Sequence, residues 1–204
     1  MTLNVSCSKR QNIIRSATTL FLEQGFNAAS MDKIAQAAPV SKATLYKYFA
    51  SKSDLLAAVI SELCAVLLQT IDDVSMESES MENNLKKIAA GFVDLIFAEE
   101  ALAIYRLVIA ECHAFPELGL LVYNSGPRAA LELLESYLEK INQHERVNIS
   151  DTAFAADAFF SLLKGDLHFQ CLLGTKVAPS ETQKTEHINK VVEFYMQGFL
   201  YAHE

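Results

Sequence analysis

Apolar residues recur at intervals of three and four along most of the chain, which is the period of helices packed on one side. Ser8 and Gln11 have the spacing of a capping box, so the first helix is expected to begin near Lys9. Gly25 stands where a left-handed C-cap would end this helix, and Phe26 can fold back onto it. The pattern therefore predicts one amphipathic helix before residue 25.

Two short helices are predicted next. Ser30 is a suitable N-cap for the second helix, and Pro39 ends it because proline disfavours helical geometry in the residue before it. Ser41 is the N-cap of the third helix, in which Leu45 and Phe49 are four residues apart and point inward together. Two short helices joined by a tight turn and braced by an earlier helix form a helix-turn-helix.

The remainder of the chain predicts longer helices. Ser51 and Asp54 open a fourth helix over about 52–73, and a polar, acidic stretch follows it. Further helices fit five ranges: 82–98, 101–113, 117–143, 151–173 and 181–202. The predicted fold is all-α with about nine helices, in which residues 1–55 form a helix-turn-helix domain and residues 56–204 form a helical bundle.

The charge is distributed unevenly. The net charge is −8, yet residues 1–55 carry seven basic and three acidic side chains, a balance of +4. Residues 56–204 carry −12. A basic head on an acidic body suits a protein that presents one end to DNA, although an imbalance of this size also arises by chance.

Several other classes of protein are disfavoured. The four cysteines are widely separated, so neither a metal site nor a disulfide framework is expected, and no cofactor is predicted. Glu-x-x-His, GxSxG, P-loop and Rossmann motifs are absent, so no enzyme is expected. The first ten residues lack a signal peptide's apolar segment, and Glu62 interrupts the apolar run 55–71. We expect a cytoplasmic protein without a membrane-spanning segment.

Three consecutive segments resemble a known family. The segments are IIRSATTLFLEQGF, ASMDKIAQAA and VSKATLYKYFASKSDLL, within residues 9–56. They are similar to the DNA-binding domain of TetR-family regulators, and the pattern S-K-x-T-L-Y-x-Y-F followed by S-K-x-D-L-L is specific. The resemblance implies an α-helix in the major groove, where base pairs differ in the groups at their edges.

The resemblance also implies roles for individual side chains. Tyr46 and Lys47 are expected to contact base edges or the groove, and the start of the fourth helix supplies a phosphate clamp, Lys52. The remaining expected contacts are to phosphates, from Ser30, Ser41, Lys42, Thr44 and Tyr48. The alternative is that the tyrosines are ordinary packed aromatics and the lysines are solvated.

Two residues depart from the family pattern. Pro39 occupies the turn where the family usually has glycine, and proline is not expected to adopt the positive φ that glycine tolerates there. The turn is therefore expected to differ and the recognition helix to be tilted. Ala43 replaces another frequent glycine, which should stiffen that helix by up to ~1 kcal/mol.

The C-terminal region resembles a TetR subgroup that includes regulators of multidrug efflux. The resemblance implies a ligand cavity among the fourth to eighth helices and a dimer interface made mainly by the last two helices. Residues 154–173 are apolar nearly all round, and the last helix offers an apolar face of Ile188, Val191, Val192, Tyr195, Phe199 and Leu200. Deep burial within one chain is the alternative explanation.

Polar residues within these apolar helices are candidate ligand contacts. They are Tyr105, Arg106, Glu111, His113, Asp166 and His168. Each could instead be a structural group whose hydrogen bonds are satisfied within the bundle.

The function predicted from these patterns is sequence-specific transcriptional regulation. A homodimer would repress from a palindromic operator in double-stranded DNA and leave it when a small, largely apolar effector binds. The alternative is a helical, dimeric protein-interaction module without specific DNA binding.

Overall fold

The structure is a computed structural model that describes residues 8–74, 80–144 and 149–199, and these residues are helical with no strand. The fold is therefore all-α, as predicted. The described ranges hold ten helices, which are α1 (Lys9–Ala28), α2 (Met31–Ala37), α3 (Lys42–Tyr48), α4 (Lys52–Asp73), α5 (Met81–Phe97), α6 (Glu99–Glu111), α7 (Glu117–Ser125), α8 (Pro127–His144), α9 (Thr152–Leu172) and α10 (Glu181–Phe199).

The predicted helix starts are confirmed at the N-terminus. Ser8 and Gln11 form both hydrogen bonds of a capping box, and the side chains of Ser30 and Ser41 cap α2 and α3. Gly25 has φ 81° and ψ 162°, which are not helical values. Helix α1 is therefore kinked at Gly25, although its residue range continues to Ala28. Phe26 is buried and its ring centroid lies 5.7 Å from that of Phe21, so the chain folds back as predicted.

The range 117–143, predicted as one helix, is divided into α7 and α8. The break falls at Gly126, whose carbonyl accepts the Ala130 N–H at 3.1 Å as the first hydrogen bond of α8. Pro127 is the first residue of α8. The backbone N–H that proline lacks would have no hydrogen-bond partner within the helix at this position. The apolar period continues across this break, and the Gly126-Pro127 pair is the sequence signal that marks it.

The chain divides into two compact units. The first comprises residues 1–62 and 103–125, and the second comprises 63–102 and 126–204. This differs from the predicted division after residue 55, because most of α6 and all of α7 group with the N-terminal helices. Within the first unit, Glu111 and Phe115 contact the end of α1, which explains the grouping.

The second unit has its own apolar core, formed by α5, α8, α9 and α10. Phe159 is fully buried and its ring meets that of Tyr195 edge-on, with centroids 4.9 Å apart. The Tyr195 hydroxyl donates to the Ala155 carbonyl at 2.9 Å. This bond ties α10 to the start of α9, and burial raises the pKa of Tyr195.

One described helix, α4, is long and apolar enough to cross a membrane by length and composition alone. The core helix of a globular protein passes the same test, so the absence of a membrane-spanning segment stays a prediction. Leu55, Leu56 and Val59 are at most 1% exposed. The apolar character of α4 thus has an explanation in the core of a globular fold.

Candidate DNA-binding surface

Helix α3 is anchored on one side and exposed on the other. Leu45 and Phe49 are buried, at 0% and 5% exposure. Tyr46 and Tyr48 are 51% and 44% exposed, and Lys47 is also exposed. Two large aromatic side chains are therefore presented to solvent by a helix whose inner face is fixed, which disfavours the alternative that they are ordinary packed aromatics.

The predicted hydroxyl contacts lie at helix N-termini. The Ser41 side chain accepts the Thr44 N–H at 3.1 Å, and the two hydroxyl oxygens are 2.8 Å apart. The Ser30 side chain accepts the Lys33 N–H at 3.3 Å. A helix N-terminus favours an anion, and a serine that accepts as a cap keeps an O–H with which to donate. These residues are therefore compatible with phosphate contacts.

Lys42 lies on the exposed surface in an ion pair with Asp32, at 2.6 Å between Nζ and Oδ2. Both side chains are more than half exposed. Such surface pairs contribute at most about 1 kcal/mol, so a DNA phosphate can replace the carboxylate.

Lys52, the predicted phosphate clamp, is directed at the end of α1. Its ammonium donates to the backbone carbonyls of Phe26, Asn27 and Ala29, at 2.6, 3.2 and 2.9 Å. It also lies 4.4 Å from the centroid of the Phe26 ring. An ammonium has three donors, and here all three are directed at the end of α1. Partial burial lowers the pKa of Lys52.

The turn between α2 and α3 has a positive φ at Pro39, where the family usually has glycine. Pro39 has φ 20°, and the Val40 N–H donates to the Ala35 carbonyl at 3.0 Å. The expectation that proline would exclude a positive φ is therefore wrong. The proline ring prefers φ near −65°, so this conformation is strained.

The predicted ligand contacts are divided between the two units. Arg106 and His113 are exposed, Tyr105 is half-buried, and the Glu111 carboxylate accepts the Asn27 N–H at 3.3 Å. These four belong to the first unit, whereas Asp166 and His168 belong to the second. Glu111 thus has a structural contact that its position in an apolar helix did not reveal.

Asp166 and His168 face different surroundings within the second unit. Asp166 is exposed and accepts a hydrogen bond from Gln170. His168 is 6% exposed and its ring meets that of Phe97 edge-on. Burial lowers the pKa of His168, the charge of Lys164 lowers it further, and a hydrogen bond with the Ile96 backbone opposes both.

A cavity of about 110 Å³ lies between α5, α9 and α10 in the second unit. Its lining includes the apolar side chains of Val93, Phe97 and Leu167, and it also includes Asp166. It adjoins Gly165, which breaks α9 with φ 52°. A glycine inside an apolar helical run was the one sequence signal for this feature.

Within the described ranges, no three His, Cys, Asp or Glu side chains are grouped so as to hold a metal ion.

Two family models match the chain. The model of bacterial regulatory proteins of the tetR family matches residues 13–59, and the model of the AefR-like transcriptional repressor, C-terminal domain, matches residues 83–200. The transcriptional activator FasR of Mycolicibacterium smegmatis is 31% identical over 100 residues, 49% of this chain and 45% of FasR. The fatty acid metabolism regulator protein of Bacillus subtilis is 26% identical over 96 residues, 47% of this chain and 50% of that protein. The chain thus spans about half the length of these two relatives.

Solved structures are similar over nearly the whole chain. The flavonoid-responsive regulator FrrA is 34% identical, with a TM-score of 0.77 over 96% of this chain and 98% of that one. A TetR transcriptional regulator from Agrobacterium tumefaciens is 26% identical, with a TM-score of 0.71 over 95% of both chains. Regulators of this kind bind DNA and small-molecule effectors, typically as dimers. The chain belongs to the TetR family of DNA-binding transcriptional regulators.

Proposed function

We propose that this regulator is a cytoplasmic repressor without catalytic activity, which binds a palindromic operator as a homodimer and leaves it when a small, largely apolar effector binds. The observation that carries the proposal is the outward face of α3. Tyr46, Lys47 and Tyr48 are exposed on a helix whose inner residues are buried. Such a helix can enter the major groove without rearranging its own support.

Exposed apolar side chains on α9 and α10 support the homodimer. Phe154, Phe169 and Leu173 of the α9 region are about 60% exposed, and Phe194 of α10 is 62% exposed. The proposed interface on α10 differs from the face expected from the sequence, because Ile188, Val191, Val192 and Tyr195 are buried in the unit's own core. Phe199 and Leu200 lie outside the described side chains. A second copy would cover the exposed aromatic rings.

The named relatives support an apolar effector. FrrA is described as responsive to flavonoids, and the Bacillus subtilis relative as a regulator of fatty acid metabolism. The C-terminal family model supports repression rather than activation. An effector releases DNA only when it binds the DNA-free conformation more tightly than the DNA-bound one.

The first experiment selects genomic fragments with the purified protein, excess non-specific competitor DNA and two salt concentrations. We expect a palindromic site that is lost when Tyr46→Ala and Lys47→Ala are combined. The matched control combines Tyr123→Ala and Lys140→Ala, which remove an exposed tyrosine and an exposed lysine outside α3 and should leave selection intact. Failure to recover a specific site, with an affinity for DNA that barely changes with salt, would instead support the interaction module.

The effector is tested separately with a panel of flavonoids and long-chain fatty acyl compounds. A compound that raises the melting temperature of the protein should weaken binding to the selected operator. Compounds that stabilise the protein and leave operator affinity unchanged would contradict release by an effector.

A further inference from the structure

The segment Gly25–Ala29 connects the long part of α1 to the N-cap of α2. Gly25 leaves helical geometry, and Ser30, the N-cap of α2, follows Ala29 directly. The conformation of this five-residue junction therefore decides the direction in which α2 leaves α1. Because α2 packs on α3, the junction also affects where the recognition helix points.

Lys52 holds this junction from one side. Its three hydrogen bonds to the carbonyls of Phe26, Asn27 and Ala29 satisfy backbone acceptors that lack helical partners. The ammonium also lies over the Phe26 ring, which is a favourable cation–π position. Lys52 is the first residue of α4, so the start of that helix is tied to the junction.

Glu111, the last residue of α6, holds the same junction through its carboxylate. Oε1 accepts the Asn27 N–H at 3.3 Å and would lie 3.0 Å from a Cβ on Gly25. The Phe115 ring meets the Phe26 ring edge-on, with centroids 5.7 Å apart. Glu111 therefore contacts the side of the junction that carries the N–H, whereas Lys52 contacts its carbonyls.

We propose that Glu111 is a positioning residue for DNA binding, which acts together with Lys52 to fix the Gly25–Ala29 junction and through it the helix-turn-helix. The inference rests on the proposed function as far as DNA is concerned, and it gives Glu111 and Lys52 roles other than effector contact and phosphate clamp. Neither side chain needs to touch DNA for its loss to weaken specific binding.

Electrostatics make the proposal testable. Removing a negative charge from the basic DNA-binding region should by itself strengthen binding to DNA, because the phosphates are negative. A positioning role predicts the opposite. We expect Glu111→Ala to lower specific operator affinity about 10-fold, the loss expected when a charge-assisted hydrogen bond is removed. Affinity for non-specific DNA should stay unchanged or rise.

Two variants of matched chemistry accompany Glu111→Ala. Glu111→Gln keeps an oxygen acceptor for the Asn27 N–H and should retain operator affinity within about twofold. Glu23→Ala removes an exposed carboxylate from the same unit and should retain or raise affinity. Equal losses for Glu111→Gln and Glu111→Ala, or no loss for Glu111→Ala, would overturn the proposal.

The salt dependence of binding tests the role of Lys52. Loss of a phosphate contact lowers the slope of log affinity against log salt by about 0.9 for each contact. Lys42→Met, which removes the exposed lysine proposed to reach phosphate, should show that reduction. Lys52→Met should weaken operator binding with the wild-type slope. A reduced slope for Lys52→Met would show that Lys52 contacts phosphate and would overturn its part of the proposal.

Amide hydrogen exchange tests the junction without DNA. In Glu111→Ala the Asn27 N–H should exchange about 10-fold faster, with Glu111→Gln near the wild type, because its acceptor is lost only in the first variant. Unchanged protection of Asn27 in Glu111→Ala would overturn the proposal. If the wild type selected no DNA site, the proposed function would fail while this measurement still decided the role of Glu111.

Discussion

Helices α1 and α9 are each broken by a glycine with a positive φ, yet the two breaks have different surroundings. Gly25 has φ 81° and Gly165 has φ 52°. At Gly25 the chain is held by Lys52 and Glu111 through four hydrogen bonds. Near Gly165 a hydrogen bond joins His187 Nε2 to the Leu163 carbonyl at 3.0 Å, and the cavity adjoins the break.

The difference shows that a glycine with a positive φ can interrupt a helix in two kinds of surroundings, one crowded and one open. A Cβ at Gly25 would lie 3.0 Å from the Glu111 carboxylate, whereas a Cβ at Gly165 would approach nothing closer than His187 Cε1 at 3.8 Å. The first break is crowded by side chains that fix its direction. The second has room around it, so it interrupts α9 without a comparable set of fixing contacts.

The largest expected effect comes from Gly25→Ala. Positive φ and the close Glu111 oxygen act together, so we expect the free energy of unfolding to fall by about 3 kcal/mol or more. Urea denaturation measures this change. Gly119→Ala in α7 is the control, since nothing lies within 4 Å of a Cβ there and alanine favours a helix. A loss under about 1 kcal/mol would mean that the junction adapts and that its contacts do not fix it.

Gly165→Ala should have a smaller effect, about 2 kcal/mol, because only the backbone strain remains. Gly198→Ala in α10 is its control, as a Cβ there meets open space. The comparison between the two breaks would be wrong if Gly165→Ala proved more destabilising than Gly25→Ala in the same urea series.

The sequence predicted the Gly25 break but not the contacts of Lys52 and Glu111 with it. Sequence patterns therefore predict features within one helix but not contacts between helices. Capping boxes, the inward pair Leu45 and Phe49, and the exposed face of α3 follow from spacing within one helix, so they could be read locally. The partners of Lys52 and Glu111 are 23 to 84 residues away along the chain. Such contacts depend on how helices pack, and periodicity carries no information about them.

The orientation of α10 was missed for a related reason. An apolar period identifies a buried stripe, but it does not say whether the same chain or a second copy buries it. Tyr195 belongs to the core of its own unit, whereas its neighbour Phe194 is exposed. Tyr195 stands on the apolar stripe of the last helix and Phe194 stands off it, so the stripe marked the face that its own unit buries.

Pro39 provides a further positive φ, at a residue that is not glycine. Pro39→Gly removes backbone strain of about 1–3 kcal/mol, while the greater freedom of glycine in the unfolded state costs about 0.4–1 kcal/mol. We expect a net stabilisation of about 1 kcal/mol in urea denaturation. A destabilised Pro39→Gly variant would indicate that the turn is not strained.

The smallest effect concerns pH and the buried His168, three residues beyond the Gly165 break. Burial lowers its folded pKa, so below about pH 6.5 the unfolded state binds more protons than the folded state. Stability should therefore fall as the pH drops from 7.5 to 5.5. His168→Gln should show a shallower fall in melting temperature over this range, with His113→Gln as the exposed control. Equal slopes for both variants would remove His168 as a cause.

The grouping of residues 103–125 with residues 1–62 has a consequence for the order of synthesis. When residue 62 leaves the ribosome, Glu111 and Phe115 do not yet exist, so the Asn27 amide and one edge of Phe26 have no partners. At translation rates of 5–20 residues per second, the unit stays incomplete for about 3–13 s. During that interval the nascent helix-turn-helix already has its own caps, but its Gly25–Ala29 junction lacks the contacts of Glu111 and Phe115.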